Sequence, residues 1–436
     1  MKKRNYSFRS FAGALAALLL VALLPSCSGG NEAEIHDLLA SVPSDAQAVA
    51  VFNFEKGVEQ AGGKVKDGKI TDAGQLAKLL EISKKNAKSG EEDYSWLLSE
   101  NSGVDCSAGA AFLWKGNAYF TMMLGDVKAF RANVDKNNPG EWKEAGKDLL
   151  VKGKMAIYKE RLWMMDKSNA EEIANFMVLS EAQSFNTNPY AEKLAKSDDA
   201  LAFWTSLDGL MAASGTSFGK QTQARMALGM FFKNANAIAG DANITKNGLE
   251  LEATLVDKDN KTAKCELELS KIDVKEVAAL GGDANMVVAL AVSHKLVKQL
   301  MELSSSLGGA MPAMFTSLIE PIDGTMAAAS ELNPGQKNMP GFRGFITTNG
   351  NNNAALAQML QMAGEVKVDG KILRVSKGSY GKGALNVSET AKAFDGAWLG
   401  VATHVEEAGS KVSPDVIFVL KPSDGGLKAK VTVSLK

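Results

Sequence analysis

One pattern recurs three times along this 436-residue chain: a polar lead containing Asp, an apolar β-type run, then a helix-forming stretch. The copies are Ser44-Asp45-Ala46-Gln47-Ala48-Val49-Ala50-Val51-Phe52-Asn53-Phe54, Ser197-Asp198-Asp199-Ala200-Leu201-Ala202-Phe203-Trp204-Thr205-Ser206-Leu207 and Gly282-Asp283-Ala284-Asn285-Met286-Val287-Val288-Ala289-Leu290-Ala291-Val292. They align without a gap. A second recurrence links Gly248-Leu249-Glu250-Leu251-Glu252-Ala253-Thr254-Leu255 to Gly426-Leu427-Lys428-Ala429-Lys430-Val431-Thr432-Val433. Apolar and polar residues alternate in both, the mark of a half-buried antiparallel strand with a polar outer face. Each copy sits near the end of one half of the chain. The sequence therefore predicts two tandem, divergent related halves, residues 35–272 and 273–436, each a mainly antiparallel sheet with packed helices.

Signals between these landmarks favour the same α+β class. Thr71-Asp72 begins a helical pattern through Leu76, Leu79, Leu80 and Ile82, and Asp126 begins another over residues 127–134. Short strands are expected at residues 149–151, 155–158 and 162–165, with turns at Lys152-Gly153 and Lys159-Glu160. Residues 366–373 read as a hairpin about Asp369-Gly370, and residues 294–303 as a helix with Leu296, Leu300 and Leu303 on one side. The glycine fingerprints of a dinucleotide fold do not accompany these elements, which argues for α+β rather than a doubly wound sheet.

The N-terminus carries an address. Lys2, Lys3 and Arg4 precede an apolar run of about 14 residues (11–24), too short for a permanent span of about 20. Leu24-Pro25-Ser26-Cys27 then supplies a cleavage site followed by a cysteine. This is the pattern of a lipoprotein signal peptide, residues 1–26, with lipid attached at Cys27. Residues 27–34 are small and polar, the composition of a flexible tether.

Removing residues 1–26, with their four cations and no carboxylate, leaves 45 cations against 50 anions, a net charge near −5. Such a surface has no pull on phosphate backbones, so nucleic-acid binding is not expected. Cys106 and Cys265 are the cysteines not used for lipid. They read as small apolar residues, with a disulfide between them as the alternative. His36, His294 and His404 are isolated in sequence, so no metal-ligand set and no cofactor site is drawn.

Gly215-Thr216-Ser217-Phe218-Gly219 fits G-x-S-x-G, which makes Ser217 the one candidate nucleophile, with His294 or His404 as base. A nucleophile elbow needs a strand leading into it, whereas residues 207–213 read as helix. Gly63-Lys64-Val65-Lys66-Asp67-Gly68-Lys69 approaches a P-loop, but Ile70 stands where Ser or Thr should bind magnesium. A solvated turn between Val65 and Ile70 accounts for it. Glu91-Glu92-Asp93 and Glu171-Glu172 read as helix N-termini rather than paired catalytic acids. Six tryptophans (Trp96, Trp114, Trp142, Trp163, Trp204, Trp398) read mainly as core, and the methionine-rich stretches 311–326 and 359–362 as core or an adaptable apolar groove.

Together with the lipobox, Val42-Pro43-Ser44-Asp45-Ala46-Gln47-Ala48-Val49-Ala50-Val51-Phe52-Asn53, Gly103-Val104-Asp105 and Gly125-Asp126-Val127 give the chain its resemblance to a Bacteroidetes lipoprotein family. That family is the domain of unknown function numbered forty-eight thirty-six, and the resemblance covers nearly the whole chain after Cys27. It implies a Gram-negative envelope address and brings no catalytic residues. Ser28-Gly29-Gly30-Asn31-Glu32 departs from the acidic surface-export signal of some such lipoproteins, which favours the periplasmic face of the outer membrane over cell-surface exposure. The expected function is non-enzymatic: a scaffold, or a binder of a protein or hydrophobic ligand in the groove between its halves. The alternatives are a serine hydrolase using Ser217 and a surface glycan binder using tryptophans.

Overall fold

The computed structural model describes residues 32–66, 69–72, 74, 102–137, 140–166, 170–213, 228–229, 231–245, 248–306, 319–332, 341–351, 353–405 and 413–435. The described chain is mixed helix and sheet, dominated by antiparallel strands with ten α-helices. It forms two compact units. One comprises Met1–Gly229, Asn234–Lys246 and Leu255–Lys261, the other Met230–Lys233, Asn247–Thr254 and Thr262–Lys436.

In the first unit the strands are β1 (Ala48–Asn53), β2 (Val104–Trp114), β3 (Asn117–Leu124), β4 (Lys143–Gly146), β5 (Leu149–Lys152), β6 (Met155–Tyr158), β7 (Arg161–Met165), β8 (Leu201–Ser206) and β9 (Ala237–Thr245). They pair antiparallel in the order β9-β8-β1-β2-β3-β7-β6-β5-β4. Alternation along β1 turns Val49 and Val51 to one face, where Val49 lies opposite both Trp204 and Phe112. Helix α1 (Glu32–Ala40) covers this face with Ile35, Leu38 and Leu39, an i, i+3, i+4 stripe. Its first turn occupies Glu32 to Glu34, so the three residues expected at the end of the tether are helical instead. Two acidic residues there suit the positive end of the helix dipole.

Asn53 ends β1 and opens α2 (Phe54–Gln60), its side chain accepting from the Lys56 amide at 3.2 Å. Asp126 caps α3 (Val127–Asn137) as expected, accepting from the Lys128 and Ala129 amides at 2.9 Å. The Asp126 amide donates to the Gly103 carbonyl, which brings two of the family-like motifs together. Gly103 has φ +81°, and a Cβ there would lie 2.4 Å from both the Asp126 carbonyl and the Phe130 amide nitrogen. Only glycine fits. The strands expected near 149, 155 and 162 form as β5, β6 and β7. Helices α4 (Ala170–Phe176), α5 (Ala191–Ala195) and α6 (Leu207–Ala213) complete the unit. Thr71 and Asp72 end a strand, Lys69–Asp72, in a hairpin with Lys64–Lys66, rather than opening a helix. The remainder of that expected helix lies outside the described residues.

The second unit contains β10 (Gly248–Val256, whose last two residues belong to the first unit), β11 (Met286–Val292), β12 (Ile322–Ser330), β13 (Phe342–Thr348), β14 (Glu365–Asp369), β15 (Ile372–Lys377), β16 (Leu399–His404), β17 (Pro414–Ser423) and β18 (Gly426–Leu435). Their antiparallel order is β10-β18-β17-β16-β11-β12-β13-β15-β14. The helices are α7 (Val274–Ala278), α8 (His294–Ser306), α9 (Asn353–Leu360) and α10 (Val387–Ala393). One sheet face is closed by α7 and α10, where Val277, Val387, Ala391 and Phe394 bury Val287, Ala289 and Ala291. The expected hairpin about Asp369-Gly370 forms as β14 and β15. Strand β10, expected at the end of the first half, pairs with β18 from Gly248 opposite Ser434 to Thr254 opposite Lys428. The two copies of that repeated strand are thus neighbours. This long-range pairing places most of β10 in the second unit, which therefore reaches back past the expected boundary at residue 273.

Burial holds three tyrosines neutral. It pushes the Tyr190 and Tyr380 phenols up to about 12, and it raises Tyr119, which also donates to Glu172. Phenols in the unfolded chain ionise near 10. The folded values are raised, so their contribution to stability is complete below about pH 10 and is lost as pH rises toward 12. Titration followed by phenolate absorbance and circular dichroism is expected to show a late-ionising fraction that appears together with loss of structure. Complete ionisation near pH 10 in a folded chain would contradict this.

Candidate binding face

The other face of the second unit's sheet is unusual in its chemistry. Strand register places Leu251, Val431, Phe418, Val401, Val288 and Ala328 in one row across six adjacent strands. The next row on that face runs through Leu249, Val433 and Val416, then Thr403, to Met286, and the row on the opposite flank through Leu420, Leu399, Leu290 and Met326; apart from Thr403 both rows are apolar. These apolar side chains are half-buried, and Ala328 is exposed. Their immediate neighbours along β11, Val287, Ala289 and Ala291, are fully buried on the reverse face. Helices α8 and α9 cover part of the open face near Val297, Leu356 and Leu373.

At β10 and β18 the contrast sharpens, because the reverse face there is ionic. Lys430 Nζ lies 2.9 Å from Glu250 and 3.6 Å from Glu252, which also pairs with Lys428. The Lys428 ammonium holds the Glu252 carboxyl below the ordinary range, and the hydrogen bond that Lys430 donates to Glu250 raises Lys430. Charges that pair at the surface mark the side facing water. Leu249, Leu251, Val431 and Val433 therefore belong to the side that favours cover, at about 25 cal/mol per Å² of apolar area removed from water. A contiguous half-buried apolar face of this kind is a feature of interaction surfaces.

The other candidates fall elsewhere. Cys27, Trp96, Glu91-Glu92-Asp93 and Ser217 lie outside the described residues, although α6 before Ser217 is helical as expected. His404 is buried, its Nδ1 2.7 Å from Asp415 Oδ1 directly across the β16–β17 pair, where it makes a cross-strand polar contact. His294 opens α8, its amide donating to Asp323 at 3.0 Å. The P-loop-like segment is the hairpin in which Val65 faces Ile70. Glu171 and Glu172 occupy the first turn of α4, but Glu172 also accepts from the buried Tyr119 hydroxyl rather than being wholly solvated. Cys265 is a free, half-buried thiol that burial pushes up, and Cys106 lies within β2.

Among the tryptophans, Trp163 and Trp204 are core residues. Trp114 and Trp142 are tied by their indole N–H groups to Asp45 (2.8 Å) and Asp135 (3.1 Å), and Trp398 packs against the second core.

One constellation was not legible in sequence. Glu32 and His36, one turn apart on α1, meet Glu192 of α5, with one ligand atom from each within 4.8 Å of the others. His36, isolated from the other histidines in sequence, is brought to these carboxylates by the packing of α1 and α5. The i, i+4 spacing of Glu32 and His36 was the available signal, but Glu32 read as tether and Glu192 is 156 residues from His36. Set against known proteins, the chain matches no protein-family model, no curated protein and no solved structure.

Proposed function

We propose that this protein is a cell-envelope lipoprotein, acylated at Cys27, that binds a hydrophobic ligand or an apolar protein segment without catalysing a reaction. The lipobox supports the address, with the outer membrane facing the periplasm as its proposed place. The observation that carries the binding role is the half-open apolar face of the second unit, whose reverse side is closed by helices or paired charges. Acyl chains and apolar segments gain from such a face through area alone, without a catalytic constellation.

The proposal includes two divergent, related units. What supports it is a shared order of elements: β1, β2, β3, β6, β7, β8 and β9 follow one another and pair in the same way as β11, β12, β13, β14, β15, β16 and β17. Helices α2 and α8 occupy the same place after the first strand, and α3 and α9 after the third. By this correspondence the first and third copies of the recurring pattern, β1 and β11, are counterparts. The counterpart of the second, β8, is β16.

The test is binding of a fluorescent fatty acid to the full chain in mild detergent. Leu251 and Val431 face each other in register at the half-open side. Changing both to Gln is expected to weaken binding about tenfold, with the thermal midpoint nearly unchanged because neither is a fully buried residue. Binding that is absent in the parent chain, or equal in the variant, would count against the proposal.

A further inference from the structure

The geometry points to a divalent transition-metal site on the first unit, formed by Glu32, His36 and Glu192, and we propose that it takes a zinc-like ion. Asn186 sets which imidazole nitrogen of His36 carries hydrogen. The Asn186 Nδ2 donates to the His36 backbone carbonyl at 3.0 Å, which fixes the orientation of the carboxamide. Its Oδ1 must then be the atom 3.3 Å from His36 Nδ1. An amide oxygen only accepts, so Nδ1 carries the hydrogen, and in the neutral ring Nε2 is a bare lone pair. An outer partner that fixes the tautomer in this way is the usual support for a metal-bound histidine.

That lone pair faces another acceptor. His36 Nε2 lies 3.3 Å from Glu192 Oε2, and the Glu32 carboxylate completes a set within 4.8 Å. With Nε2 bare the contact joins two acceptors, and either a proton on Nε2 or a cation between them turns it into an attraction. Bonds of about 2.1 Å to a tetrahedral zinc set the edge between neighbouring ligands at about 3.4 Å. The observed separation fits that edge. Two carboxylates and one imidazole suit a borderline ion, and the partial exposure of the cluster leaves room for water in a fourth position.

The surroundings already attract positive charge. Lys196 pairs with Glu192 and lies 3.7 Å from Glu32, so its ammonium supplies one cation to both carboxylates. Its side chain is 56% exposed and free to swing into solvent. The ion would take the place of that ammonium and gain the imidazole, which the ammonium leaves unused. This site belongs to α1 and α5 and stands independently of the apolar face.

The experiment is calorimetric titration of zinc into the full chain, prepared without a histidine tag, near neutral pH. One zinc per chain is expected, with binding lost in His36→Ala and in Glu192→Gln while circular dichroism shows the fold intact. Glu192→Gln is a near-isosteric change of a largely exposed side chain, so it tests the site even where His36→Ala disturbs α1. Lys196→Met removes the competing cation and is expected to tighten binding about two- to fivefold. The proposal is overturned by no zinc uptake, by uptake that persists equally in His36→Ala and Glu192→Gln, or by affinity that does not rise in Lys196→Met.

Discussion

Asp37→Ala is expected to destabilise the first unit by about 2–3 kcal/mol in urea denaturation, although Asp37 itself is largely exposed. The cost falls on its partner. Arg161, at the start of β7, is 7% exposed and donates to Asp37 and, at 3.0 Å, to Ser41. Burial lowers the guanidinium below its ordinary range, and the Asp37 charge is the first influence opposing that shift. Removing the carboxylate leaves a buried cation with a hydroxyl and the more distant Glu34. Breaking a fully buried pair costs about 3–5 kcal/mol, and the exposure of Asp37 places this case below that range. Arg161→Met removes the charge together with its need for a partner and should cost less than Asp37→Ala. An Asp37→Ala protein as stable as the parent would show that Arg161 reaches water when unpaired.

Trp163→Ala is expected to cost about 3–5 kcal/mol, the range for a large aromatic deleted from a packed core. Trp163 is fully buried on β7, stacked on Phe176 at 5.8 Å and edge-on to Phe112 at 6.3 Å between ring centroids. Tyr119 and Trp114 also meet Phe176, so α4 is fastened to the sheet by an aromatic cluster. Among the described residues the buried indole Nε1 has no hydrogen-bond partner, nor has the hydroxyl of Thr121 directly opposite in register. Trp163→Phe, which removes that N–H but keeps a ring, should lose much less than Trp163→Ala. Equal losses in the two variants would show that the cluster depends on the indole shape rather than on buried aromatic area.

Local patterning made much of this architecture legible. Alternation located β5, β6 and β7 within a residue or so, because each is a short apolar run closed by turn residues that interrupt pairing. Asp126 announced α3 through the capping chemistry that the structure shows, and Asp369-Gly370 announced the β14–β15 turn. The recurring strands were visible for the same reason, since period-two burial is written into consecutive residues. Glu32 was missed because a polar first turn looks like linker until Leu38 and Leu39 find their core.

The candidate sites were far less legible. Val431 and Leu251 are 180 positions apart, yet they adjoin in the open row. Arg161 and Asp37, or His36 and Glu192, are brought together by tertiary packing alone. A residue's own neighbours decide whether it favours strand, helix or turn and which side of that element is apolar, because those preferences act over one or two turns or pleats. Which strands pair, and therefore which apolar faces are closed and which remain open, depends on contacts whose chain-closure cost and burial gain are settled only when the whole sheet forms. The mixed helix-and-sheet class and the alternation of strands such as β9 and β11 belong to the first kind of information. The open face of the second unit and the Glu32, His36 and Glu192 cluster belong to the second.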